Sequence, residues 1–144
     1  NTELAELLAK VEEKWVWLII TEAWCGDAAQ NIPVIQKMAE ASPNIEVRLI
    51  LRDENLAIMD KYLTNGGRSI PKLIALKADT LEEFGTWGPR PQTAQQMVTD
   101  FKENPKGREY KDFVAEVQKW YAKDKTQSVQ NEFVGLLKEW MKVN

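Results

Sequence analysis

Apolar positions change period several times along the chain, and those changes predict the elements. Leu4, Leu7, Leu8 and Val11 recur at helical spacing. Trp15-Val16-Trp17-Leu18-Ile19-Ile20 is then a continuous apolar run, rich in β-branched and aromatic residues, which reads as a strand buried on both faces. Ile32, Ile35 and Met38 mark a second helix ending near Ser42-Pro43, and Ile45 to Leu51 forms a second strand. Leu56, Met59 and Leu63 give a third helix, with Asn65-Gly66-Gly67 as its stop. Ile70-Pro71 leads into a third strand over Leu73 to Leu76. A short turn through Lys77 to Thr80 then requires an antiparallel hairpin with a fourth strand over Leu81 to Trp87. Gly88-Pro89-Arg90-Pro91 breaks the pattern. Three more helices follow, read from Ala94/Met97/Val98/Phe101, from Tyr110/Phe113/Val114/Val117/Trp120/Tyr121 and from Val129/Phe133/Leu136/Leu137/Trp140.

This order predicts an α/β fold: a mixed central sheet of about four strands flanked by helices on both faces, with extra C-terminal helices. Right-handed crossovers make the first two strands parallel neighbours or near neighbours. There is no internal repeat, low-complexity stretch or dividing linker, so one domain is expected over residues 1–144. Its sheet-forming core would run from about 14 to 101, and a helical extension from about 105 to 144. The extension adds apolar surface, Trp120 and Trp140 included, with three candidate resting places: the core, a preceding segment, or a second subunit in a homodimer.

Composition removes several functions. With 144 residues, 44% hydrophobic and 28% charged, the chain has the profile of an ordinary soluble domain. A net charge of −3 leaves no surplus of cations to neutralise phosphates, which argues against nucleic acid as a partner. The longest apolar run is six residues, against the ~20 needed to cross a membrane, and nothing at the start reads as a signal peptide. One cysteine and no histidine exclude an intramolecular disulfide, a Cys/His or Ser/His catalytic pair and an ordinary zinc site, so no resident metal or cofactor is expected. Chemistry must rest on one thiol, on carboxylates or on a partner. A lone thiol fits a reducing cytoplasm.

That thiol sits where chemistry is favoured. Trp24-Cys25-Gly26-Asp27 falls between a buried strand and a helix, close to unsatisfied backbone N–H groups and the positive end of a helix dipole. The plain alternative is a small buried hydrophobe. Asp27 pulls both ways. It can cap the helix or take part in proton transfer, and about 7 Å from a thiolate it repels by about 0.6 kcal/mol in water or about 2.4 at an effective dielectric of 20.

Trp24-Cys25-Gly26, Pro33 eight residues after Cys25 within the following helix, and Ile70-Pro71 opening a strand together resemble thioredoxin. The resemblance covers about Lys14 to Met97 or Phe101, and it implies the thioredoxin-like fold. It also implies a cis Ile70–Pro71 bond packed against the cysteine, Ile70 as the residue whose backbone pairs with an extended substrate, and a kink at Pro33. Trp24, Gly26 and Asp27 would line the same binding surface, although Trp24 can equally belong to the core. Read without the resemblance, Pro71 is only a proline tolerated at a strand start.

Three departures matter. Ala28 stands where thioredoxin has its resolving cysteine, Asp27 replaces the motif's proline, and Ile19 takes the place of a buried acid. A dithiol reductase needs the second thiol to attack the mixed disulfide from within, so ordinary thioredoxin turnover is excluded if Cys25 works alone. Two readings remain in front. In the first, Cys25 performs single-thiol thiol–disulfide exchange on a protein or small disulfide, glutathione serving as co-substrate. In the second, the fold is a non-catalytic module that uses the groove by Pro71 for protein partners. A third, binding of a metal cluster by Cys25 from two subunits, rests only on similarity to single-thiol glutaredoxins. Arg68 and Arg90 are candidates for attracting an acidic ligand such as glutathione.

Overall fold

The computed structural model describes residues 1–142. Its elements run α1 (Thr2–Ala9), β1 (Trp15–Thr21), α2 (Gly26–Glu40), β2 (Ile45–Leu51), a 3₁₀ turn (Arg52–Glu54), α3 (Leu56–Met59), β3 (Lys72–Lys77), β4 (Glu83–Trp87), α4 (Gln92–Glu103), α5 (Tyr110–Asp124) and α6 (Gln127–Met141). The four strands form one mixed sheet in the order β2-β1-β3-β4. β1 pairs in parallel with β2 and antiparallel with β3, and β4 closes the hairpin on β3.

Strand register decides where the functional loops meet. Thr21 at the end of β1 lies opposite Leu51 at the end of β2, and Ile20 opposite Lys72 at the start of β3. Leu73 faces Trp87, the last residue of β4. The segment after β1, the segment before β3 and the loop after β4 therefore gather at one end of the sheet. Residues far apart in sequence converge there because β1 and its parallel neighbour β2 end where its antiparallel neighbour β3 begins.

One face of the sheet carries most of the core. Trp15, Trp17 and Ile19 of β1, Ile35 and Met38 of α2, Trp87 of β4, and Phe133, Leu137 and Trp140 of α6 pack with Leu4, Leu7 and Leu8 of α1. The rings of Trp17 and Phe133 approach to 5.5 Å, and those of Trp87 and Phe133 to 5.4 Å. Burying side chains of this size stabilises by about 1.5–3 kcal/mol each, which fixes α6 to the sheet. The opposite face is thinner: Ile20, Met59, Ile70 and Ile74 form a small cluster beneath α3. Val16 and Leu18, which alternate onto that face, stay half-buried, so β1 is not buried on both sides along its whole length. A third cluster joins Phe113, Val117 and Tyr121 of α5 to Phe101 of α4.

Two predicted elements are shorter than their patterns. α3 stops at Met59, its one buried residue, and Leu63 lies exposed beyond it. Asn65 and Gly66 take positive φ in a tight turn that brings Thr64 back to Gly67, so the Asn-Gly-Gly run makes a turn of its own. β4 begins at Glu83, because Leu81, with a φ of 61°, belongs to the connecting turn. Among the described residues, no helix is long and apolar enough to cross a membrane.

Candidate functional site

Cys25 is the residue that turns the chain from β1 into α2. It has extended backbone angles at the helix N-cap, and its Sγ accepts the Ala28 N–H at 3.4 Å. The sulfur thus does the work usually given to a Ser or Asp oxygen, and a donor N–H at the positive end of a helix favours negative charge on it. In the other direction the S–H donates to the Ile70 carbonyl at 3.3 Å. The Ile70–Pro71 peptide bond is cis, and so is Gly88–Pro89 in the neighbouring loop. Cys25 is half-buried. It opens into a recess of about 400 Å³ whose walls include Ala29, Ile32 and Pro33 of α2 and Leu49 and Leu51 of β2.

The remaining predicted residues divide. Trp24 does not join the core: it is 67% exposed, with the Arg52 guanidinium 5.1 Å above its ring. Gly26 is exposed in the first turn of α2, beside Gln118 of α5. Ile70 is buried, and its carbonyl is engaged by Cys25. Pro33 lies inside α2 and lines the recess. Ile19 is fully buried among apolar residues.

Asp27 does something the sequence reading did not foresee. Its carboxylate accepts none of the helix N–H groups, while Cys25 caps that of Ala28. Instead Oδ2 accepts Nε and Nη2 of Arg90 at 3.1 and 3.0 Å, and Oδ1 accepts the Tyr121 hydroxyl at 2.6 Å. Asn31 donates to the same Tyr121 oxygen at 3.0 Å, and Arg90 reaches Gln95 at 2.6 Å. The ion pair is largely shielded, with side-chain exposures of 14% for Arg90 and 18% for Asp27. Burial first, and the adjacent carboxylate second, push the Tyr121 phenol far above its ordinary range. Capping is therefore not the role of Asp27. It joins α2 to the loop after β4 and to α5.

That loop is fitted against the Ile70–Pro71 segment. A Cβ on Gly88, which has a φ of 117°, would lie 2.3 Å from the Pro71 carbonyl oxygen. Only glycine meets both demands. Lys72 reinforces the contact by donating from Nζ to the Gly88 carbonyl and to Thr64, each at 3.2 Å, and burial lowers the affinity of this amine for its proton. Tyr121, Asn31 and Lys72 were missed, and Arg90 was given a different role, because Tyr121 and Arg90 meet Asp27 and Lys72 meets Gly88 across long sequence separations. The local sign was a lone arginine held between two prolines. Nor does either arginine suggested for an acidic ligand stand free: Arg68 forks onto Asp60 at 2.8 and 3.1 Å, and Arg90 holds Asp27. Among the described residues, no three His, Cys, Asp or Glu side chains cluster in a way that could hold a metal ion.

A family model described as thioredoxin matches residues 1–102. The chain belongs to the thioredoxin family. No curated protein matches it. Among solved structures, a Pseudomonas aeruginosa protein of unknown function superposes with a TM-score of 0.70 at 18% identity, over 96% of this chain and 74% of its own. An HIV epitope-scaffold gives 0.67 at 19%, again over 96% and 74%. Thioredoxin from Fasciola hepatica gives 0.44 at 18% identity, over 66% and 86%. At these identities the likeness concerns the fold, and within that fold this member of the thioredoxin family carries a single cysteine.

Proposed function

We propose that this thioredoxin-family protein carries out thiol–disulfide exchange through Cys25 alone. The supporting observation is the placement of the sulfur at the mouth of α2, with the Ala28 N–H as donor, the Ile70 carbonyl as acceptor and an open recess beside it. The Cys25 thiolate attacks one sulfur of a protein or small-molecule disulfide. A Cys25 mixed disulfide forms, the substrate S–S bond breaks, and the departing thiolate takes a proton from water. Losing its own proton, Cys25 also releases the Ile70 carbonyl, which then accepts an N–H from an extended substrate. With one cysteine in the chain, the second step belongs to an external thiol such as glutathione. Its thiolate attacks the mixed disulfide, frees Cys25 and leaves with the other sulfur as a new disulfide. A reducing cytoplasm supplies that thiol.

Glutathione-dependent reduction of hydroxyethyl disulfide, coupled to glutathione reductase, tests this reading. The wild type is expected to turn over and Cys25→Ser to fall to background; equal rates remove the proposal. A second reading, a non-catalytic module for protein partners, is favoured by the exposed Trp24 next to an apolar recess. It requires that Cys25→Ala leave partner capture unchanged.

A further inference from the structure

A carboxylate two residues beyond a nucleophilic sulfur is an awkward neighbour. It repels the thiolate and competes with it for the field of the helix N-terminus. Here both oxygens of Asp27 are already occupied. Arg90 spends two N–H donors on Oδ2, and Tyr121 donates to Oδ1. Arg90 has a fixed origin for this task, because its loop is seated on the Ile70–Pro71 segment through Gly88 and Lys72. The loop beneath the Pro71 carbonyl therefore also delivers a cation to the first turn of α2.

We infer that Arg90 is a positioning residue for Cys25: by neutralising Asp27 it leaves the helix N-terminus and the Ala28 N–H to stabilise the thiolate. This rests on the single-thiol reading of the same site. Arg90 acts through Asp27 and needs no contact with substrate. The ionisable groups on the elements around the first turn of α2 include Asp27 on α2 itself, Arg90 from the loop after β4 and Tyr121 from α5, both bonded to Asp27, Glu22 beside the recess, and Arg52 over Trp24. Of these, Arg90 and Asp27 are the two joined in a shielded ion pair.

The test is the rate of alkylation by iodoacetamide at pH 7, an uncharged reagent that requires neither a disulfide nor glutathione. Arg90→Gln is expected to slow alkylation by about three- to tenfold, as the carboxylate is unmasked. Arg90→Lys, which keeps the charge, is expected to stay within about twofold of wild type. The decisive protein is Asp27→Asn/Arg90→Gln: removing the carboxylate as well should restore the rate to within about twofold of wild type. A merely structural role for the ion pair makes the double variant no faster than Arg90→Gln, and that result overturns the inference, as does an Arg90→Gln rate equal to wild type. Thermal melts establish folding first. If Arg90→Gln does not fold, Asp27→Asn alone decides, since it should react at least as fast as wild type, and a slower rate overturns the inference. A wild type inactive toward hydroxyethyl disulfide defeats the proposed turnover without affecting this comparison.

Discussion

The first turn of α2 presents two neighbouring side chains to opposite kinds of surroundings. Cys25 makes two long contacts to sulfur, at 3.3 and 3.4 Å, and faces an open recess. Asp27 makes short charged contacts and is largely closed off by Arg90 and Tyr121. Weak, replaceable interactions hold the group expected to react; strong, saturated ones hold the group that fixes the turn. Rigidity and reactivity are thereby separated by two residues, as a preorganised site requires.

The difference is easiest to break through stability. Asp27→Ala strands the Arg90 guanidinium and the Tyr121 hydroxyl in partly buried positions, and removing one member of such a pair is expected to cost about 3 kcal/mol. Cys25→Ala loses two weak hydrogen bonds and should cost under about 1 kcal/mol. Chemical denaturation of the two variants measures both. Comparable losses would mean that the cysteine is as structural as its neighbour.

A smaller effect sharpens the same contrast through pH. Tyr121 keeps its proton more tightly in the folded state than its ordinary value of 10.0, through burial first and the Asp27 charge second. The neutral phenol's contribution is therefore complete below about pH 10 and is lost as pH rises above it. Tyr121→Phe should cost about 2 kcal/mol at pH 8, the worth of its hydrogen bond to a carboxylate. That gap should narrow between about pH 9.5 and 11.5, because only the wild type gives up this contribution. Tyr62, pushed up to about 12 by its hydrogen bond to Glu83, is present in both proteins and cancels. A gap that stays constant across this range would show that folding does not tighten the hold of Tyr121 on its proton.

The parts legible in the sequence were those decided by local pattern. The apolar run Trp15 to Ile20 and the apolar-rich segment Ile45 to Leu51 both form strands, although β2 leaves Leu49 and Leu51 exposed, and Phe133, Leu137 and Trp140 keep one stripe that α6 buries. The Cys25 turn and Ile70–Pro71 were legible as a pair through their likeness to thioredoxin. What stayed hidden was the partner of Asp27: Arg90 and Tyr121 lie 63 and 94 positions away, and no local periodicity reports such contacts. The span of α3 was overread for a related reason, since Leu56 and Leu63 fit a helical stripe but the structure leaves both exposed. Trp24 inverted the usual expectation for a tryptophan, because the edge that gathers three loops leaves its ring outside the core.

Trp24 supplies the smallest effect on stability and a clear one on binding. With 67% of the residue exposed and Arg52 stacked over the ring, Trp24→Ala removes little packing, and the stability should stay within about 0.5 kcal/mol of wild type. If the ring forms one wall of the substrate surface, the variant should raise the KM for a disulfide-containing peptide by about three- to tenfold while leaving kcat nearly unchanged, the signature of uniform binding. Steady-state kinetics with the peptide separates the two parameters. A fall in kcat at constant KM would place Trp24 on the Asp27 side of the contrast, as a residue that shapes the turn, rather than on the open side where a partner is met.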